Sequence, residues 1–335
     1  MGTSPAQWNV PRAREINVAG GALGRRLAGR YALQKALDKD PVDVLINMGN
    51  EVTSVPDVPS IMWPMTVAPL EEAAMRRLGP TLPAKLRWRT LRESIGQSVR
   101  RADSFIFNSH YTRAIYAETF QSVTHKPSTV IWPATSIPPE DTGVNPASAR
   151  SRPYILAVSH LYPYKMVLEL IRGYALVVQG GVPHDLVIAG SPADPDYYTQ
   201  LQQEVANNGL DERVIFLGNV ERRSLGRLYK EATLFVSPSI SENAASFTLL
   251  DAFGHGLPVL ASSTSSMPEM CQDAVRYFDP RSPHQMGEAM LEVLNDDTTL
   301  AELARRGQVR FNKLPTWETV AEDVAHFAAT MTGQK

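Results

Sequence analysis

Cysteine is nearly absent: Cys271 stands alone among 335 residues. A single thiol excludes an internal disulfide and fits a reducing compartment, so the cytoplasm is the first expectation. Long apolar runs are missing too. None approaches the ~18 residues that a membrane-crossing helix needs, and no stretch has the pattern of an export signal, so the chain is not expected to span a membrane. Internal repeats and low-complexity segments do not stand out. What is present is ordinary for a globular protein, with 43% hydrophobic and 20% charged residues, and the length suggests two domains.

The net charge of −2 conceals an asymmetry. Residues 1–140 carry 17 Lys+Arg against 12 Asp+Glu, a net of +5, and the remainder carries 16 against 23, a net of −7. The excess gathers in Arg76, Arg77, Lys85, Arg87, Arg89, Arg92, Arg100 and Arg101, opposed within 76–101 by Glu93 alone. Leu82, Leu86, Trp88, Leu91 and Ile95 are interleaved with them. Such a segment suits either a peripheral contact with an anionic membrane or a solvated helix over a buried apolar stripe, and both stay open. Nucleic-acid binding is not expected, because the charge is modest and no binding motif accompanies it.

Strand-like runs alternate with helical periodicity along the chain, predicting parallel, doubly wound sheets. Strands are expected at Val42 to Met48, Pro59 to Met65, Ser104 to Phe107 and Thr129 to Trp132, with a helix from about Ala84 to Arg101. Gly20 and Gly21 open a glycine-rich turn before a helix, a candidate phosphate or substrate loop in the first half. In the second half, strand Tyr154 to Val158 leads through His160 to Lys165 and a helix from Met166, and a lysine beside a helix N-terminus suits a diphosphate. On residues alone, a solvated Lys165 stays open. The strand Asp185 to Ala189 ends in Gly190, and Val220 follows the strand Val214 to Gly218. Asp194-Pro195-Asp196 imitates a metal-binding acidic pair but reads as a turn and helix cap.

The centre of the chain is the stretch from Phe235 to Ala261. Its apolar start reads as a buried strand broken by Pro238, and a helix is expected from about Ser246. Between them, Asn243, Ala244, Ala245 and Ser246 are small enough for a ligand to approach the backbone. Strand, turn and helix end make an anion site, and flanking carboxylates can hold sugar or ribose hydroxyls. An ordinary β-α-β unit with a surface Glu242 explains the same pattern.

This stretch resembles the acidic signature of glycosyltransferase family 4, retaining, nucleotide-sugar-dependent enzymes of GT-B fold. That signature has a Glu, seven residues, a second Glu, then Ala, a hydrophobic residue and a small-residue turn before Pro-Val. Here Glu242 is the first acid, and Asp251 to Val259 matches the rest, with Asp as the second acid and eight residues between the two. The family also carries Arg, four residues, then Lys in the loop after the first strand of its second domain. Lys165 matches that Lys, and His160 stands where Arg is usual. Met267-Pro268-Glu269 and the segment Arg101 to Ser109 fit further family positions. A ring that titrates near pH ~6.5 and lacks the guanidinium fork implies donor binding that is weaker or pH-dependent.

The resemblance implies an α/β GT-B fold, two Rossmann-like domains facing a cleft. The boundaries expected are an acceptor domain over 1–137, short for the family, a linker over 138–153, a donor domain over 154–316, and a helix over 317–335 crossing back. It implies Lys165 and Glu242 as catalytic residues, and His160, Gly190, Val220, Asn243, Ala244, Ala245, Ser246 and Asp251 as donor-binding ones. Glu242 holds the donor's sugar hydroxyls in this reading and Asp251 the ribose. No metal and no cofactor are expected beyond the nucleoside-diphosphate sugar. The acceptor is an unidentified hydroxyl, a lipid-linked glycan being one option, and the location is the cytoplasm or the inner face of its membrane. Two competing functions remain: a catalytically degenerate nucleotide-sugar-binding or partner subunit, and a sugar-nucleotide epimerase.

Overall fold

The computed structural model describes residues 31–52, 57–78, 82–135, 137, 152–244 and 246–333. Gly20, Gly21, Ala245 and most of the expected linker therefore lie outside the described residues. Within them, two parallel sheets form. The first has the order β1 (Leu45–Met48), β2 (Ser60–Trp63), β3 (Ser104–Phe107), β4 (Ser128–Val130). The second comprises β5 (Tyr154–Val158), β6 (Asp185–Ala189), β7 (Val214–Gly218), β8 (Leu234–Ser237), β9 (Val259–Ser262) and β10 (Arg276–Phe278), in the order β10-β9-β8-β5-β6-β7. The strands are shorter than the apolar runs suggest. Pro64, which has no N–H to give a ladder, ends β2.

Alternation along the strands builds both faces of the second sheet. Ile155, Ala157, Leu186, Ile188, Leu234 and Val236 enter one apolar cluster, while Tyr154, Leu156, Val187, Ala189 and Phe235 enter the other. In the first sheet, Met62, Phe105 and Phe107 pack beneath the helices of their own half. Ile61, Trp63 and Ile106 face the other way, onto Val320, Val324 and Phe327 of the helix Trp317–Thr332, which closes the chain against the first sheet.

The basic segment is two helices, Glu72–Leu78 and Leu82–Arg101, tied by a hydrogen bond from Trp88 Nε1 to the carbonyl of Leu78. Its buried stripe runs through Trp88, Leu91, Ile95 and Val99. Leu86, expected in that stripe, lies two residues from it, is 65% exposed and sits among the cations.

Strand order reverses at β5. The chain leaves it outward to β6 and β7, then returns to its other side with β8. A crevice opens at the carboxyl ends of strands flanking such a reversal, and the candidate residues collect there.

Candidate active site

A cavity of about 410 Å³ lies at that reversal. The chain enters it after four of the strands: Ser159 and His160 after β5, Gly190 after β6, Asn219 and Val220 after β7, and Glu242, Asn243, Ala244 and Ser246 after β8. Of the residues expected to bind a donor, His160, Lys165, Gly190, Val220, Glu242, Asn243, Ala244 and Ser246 line this one space. Met65 and Asn108 reach it from the first domain.

Lys165 and Glu242 meet across the cavity, Nζ to Oε1 at 2.5 Å, with their side chains 14% and 13% exposed. Desolvation pulls the Lys165 ammonium down, but the charge of Glu242, with Tyr164 and the direct hydrogen bond, outweighs it and leaves the lysine above its ordinary value. The ammonium also sits 5.2 Å from the centre of the Tyr164 ring. Just after Lys165, Met166 takes a left-handed φ of 56° and begins the helix Val167–Gln179. A buried non-glycine residue in that conformation is strained, which is common where a loop is shaped for a ligand.

The Glu242 loop is held from several sides. Its backbone N–H donates to Ser265 Oγ at 2.8 Å, and Ser266 Oγ donates to its carbonyl at 2.9 Å. The Asn243 carbonyl accepts from Ser109 Oγ at 2.8 Å and Thr112 Oγ1 at 2.6 Å, while Asn243 Nδ2 donates to the Pro64 carbonyl at 2.9 Å. The opposite domain thus fixes the loop. Ser246 precedes the helix Phe247–Gly254, whose first residues, Phe247 and Thr248, form part of the cavity wall. That brings the positive end of a helix to the ligand space.

Gly190 is required by geometry. Its φ is +152°, and a Cβ there would lie 1.7 Å from the Ser159 carbonyl oxygen, so no side chain fits. His160 sits on the exposed lip, its Nδ1 2.6 Å from Ser191 Oγ.

Asp251 is a correction. It does not line the cavity; it is fully buried, accepting from Thr135 Oγ1 at 2.9 Å and facing Arg222 Nη1 at 3.4 Å. Leu249, Leu250, Ala252 and Phe253 are buried around it, so this stretch of the helix lies inside the domain and the Asp251 carboxylate with it. Burial pushes the Asp251 carboxyl above its usual range despite both partners. Asp194 caps the helix Pro195–Asn207 by accepting from the Tyr197 N–H at 3.0 Å, as its motif reading expected.

Sequence reasoning missed Asn108, Tyr164, Asn219 and Thr248 on the cavity wall. Two of them follow strand ends, Asn108 after β3 and Asn219 after β7, and that position was the available signal. Asn108 is oriented by Trp63, whose indole N–H donates to its Oδ1 at 2.6 Å.

Residues 144–310 match the family model for glycosyl transferases group 1. The match lies over the part of the chain that forms the second sheet. Among curated relatives, the chain is 28% identical over 167 residues to O-antigen chain mannosyltransferase B of Escherichia coli, covering 49% of this chain and 42% of that protein. A longer match, 24% identical over 293 residues, reaches 76% of this chain and 69% of the GDP-mannose-dependent alpha-(1-6)-phosphatidylinositol monomannoside mannosyltransferase of Mycobacterium tuberculosis. The match to an uncharacterized glycosyltransferase of Methanocaldococcus jannaschii likewise covers only 43% of that relative, so the chain spans less than half the length of the first relatives it matches. Among solved structures, sucrose-phosphate synthase from Thermosynechococcus elongatus superposes with a TM-score of 0.73 at 16% identity, covering 92% of this chain and 78% of that one. Anabaena HepE in complex with UDP-glucose gives 0.72 at 16% identity, with 92% and 84% covered. The chain has the GT-B fold, with the cavity in its interdomain cleft. Among its described residues no helix is long and apolar enough to cross a membrane.

Proposed function

We propose that the protein moves a sugar from a nucleoside diphosphate to an acceptor hydroxyl, with retention at the anomeric carbon. The observation that carries this is the Lys165–Glu242 pair, set in the cleft beside a helix N-terminus and a glycine that clears the wall. In this reading the diphosphate lies against Lys165, His160 and the first turn of the helix Phe247–Gly254, and Glu242 accepts from the hydroxyls of the donor sugar. The bond from the anomeric carbon to the β-phosphate oxygen breaks and negative charge grows on the leaving diphosphate. Fixed positive groups stabilise that charge more than they do the ground state. The acceptor oxygen bonds to the anomeric carbon on the same face, and its proton passes to the departing phosphate. Side-chain cations do this work here, without a metal or a cofactor.

The acceptor we favour is carried on a lipid at the cytoplasmic face of a membrane. The phosphatidylinositol monomannoside acceptor in the name of one relative supports this, as do the exposed Lys85, Arg87, Arg89, Arg92 and Leu86 on one basic helix.

The test is binding and turnover with UDP-glucose and GDP-mannose, product configuration being read by NMR. Lys165→Ala is expected to lower turnover about 10²–10³-fold with little change in melting temperature. Glu242→Ala should abolish the preference for the nucleotide sugar over the free nucleoside diphosphate. Binding without turnover by any acceptor favours the partner-subunit reading, which the withdrawal of Asp251 from the cavity supports. Failure of the wild type to bind either donor or diphosphate refutes the transferase reading.

A further inference from the structure

Glu71 lies in the first domain, in the turn between a short 3-10 helix at Ala68–Leu70 and the helix Glu72–Leu78. It is 7% exposed and outside the cavity. Its carboxylate accepts from Tyr111 OH at 2.5 Å and from Ser241 Oγ, with Ser265 Oγ at 3.4 Å. Ser241 precedes Glu242, and Ser265 is the residue that receives the Glu242 N–H. Every hydroxyl on Glu71 that comes from the second domain thus belongs to the cradle of the Glu242 loop.

The same segment reaches the other half of the ion pair. The helix Glu72–Leu78 packs against the turn at Pro163–Lys165, where Ala74 and Leu78 share a cluster with Tyr162 and Tyr164. Arg77 pairs with the buried Glu169 in the helix that follows. One piece of the first domain, residues 71–78, therefore braces both the loop that carries Glu242 and the turn that carries Lys165.

A carboxylate is an expensive brace. Among the described residues its partners are three hydroxyls and no cation, and the charge of Glu242 is close enough to oppose its ionisation. A neutral amide can meet the same hydroxyls, which makes Glu71→Gln the conservative control for any role that runs through these hydrogen bonds.

We propose that Glu71 is a positioning residue for donor-sugar recognition: through Ser241 it sets where Glu242 stands, and so couples sugar binding to the seating of the first domain. This rests on the glycosyltransferase reading above. The quantity to measure is the ratio of the dissociation constant of the nucleoside diphosphate to that of its sugar conjugate. Calorimetry with UDP, UDP-glucose, GDP and GDP-mannose on the full chain supplies it for wild type, Glu71→Ala, Glu71→Gln and Ser241→Ala.

Glu71→Ala is expected to reduce the ratio about tenfold, with affinity for the free diphosphate held within about twofold. Ser241→Ala should reduce it several-fold, and Glu71→Gln should recover most of it. If Glu71→Ala prevents folding, Ser241→Ala carries the test. Unchanged ratios in the variants overturn the role of Glu71 and leave the transferase reading standing. Equal loss of both affinities together with melting temperature also overturns it, as a purely structural effect. A wild type that binds none of the four ligands refutes the transferase reading, and the role of Glu71 falls with it.

Discussion

Around the second sheet the chain buries two broad apolar clusters, one on each face, drawn almost wholly from residues 154–303. Around the first, Val52, Met62, Ile95, Phe105, Phe107 and Tyr116 cover one face, while the other is a small patch that borrows Val320, Val324 and Phe327 from the far end of the chain. The second half closes its own core. The first half is finished by the second, through that helix and through hydrogen bonds across the cleft. Glu269 makes three of these: its carboxylate accepts from the backbone N–H of His110 and Tyr111, each at 2.9 Å, and from Trp132 Nε1 at 3.0 Å. A carboxylate from one domain thus caps a helix of the other.

Removing that cap is the strongest way to break the asymmetry. Glu269→Ala leaves two helix-terminal amides and an indole without their acceptor and is expected to destabilise the first half by about 2–4 kcal/mol. Hydrogen exchange checks this: protection should fall in 104–119 and stay intact in 185–189 and 234–237. Equal loss in both halves would show that the second does not stand alone. Val320→Ala is a milder test, expected to cost about 1–2 kcal/mol by opening space against Ile61 and Ile131. It should loosen 60–63 and 104–107 in the same assay.

The smallest expected effect belongs to Asp251, inside the robust half. Its carboxyl is raised by burial, so the folded protein holds a proton that the unfolded chain gives up. The stability it contributes is complete below the unfolded carboxylate value of about 3.9 and is lost as pH rises through the higher folded value. Asp251→Asn cannot ionise. It should match the wild type near pH 4 and gain on it at pH 8, by no more than about 1 kcal/mol, in chemical denaturation at both pH values. A variant that is less stable at pH 8 would mean that the contact with Arg222 outweighs desolvation.

What the sequence disclosed divides along the same line. His160, Lys165, Gly190, Val220 and Glu242 were legible because a doubly wound sheet delivers the residue after each strand to one crevice, and each strand announced itself by an apolar run. Asp251 was misjudged because a motif gives spacing along the chain, whereas the packing of its helix decides which way a carboxylate turns. Glu71 carried no signal at all. Its partners stand 40, 170 and 194 residues away, and no local pattern joins a turn in one domain to two serines in the other. Leu86 shows the limit of periodicity: a leucine among cations looks like part of the stripe until the helix phase is fixed by Ile95 and Val99.

The absence of any room at Gly190 bears on how the shape of the cavity can change. Because a peptide oxygen occupies the place of a side chain there, that stretch of wall is the same for every sequence able to fold this way, and no substitution can contour it. Variation is confined to walls made of side chains, chiefly Tyr162, Tyr164, Asn219 and Val220. A mutational library aimed at reshaping the cavity belongs at those four positions, with 190 held fixed.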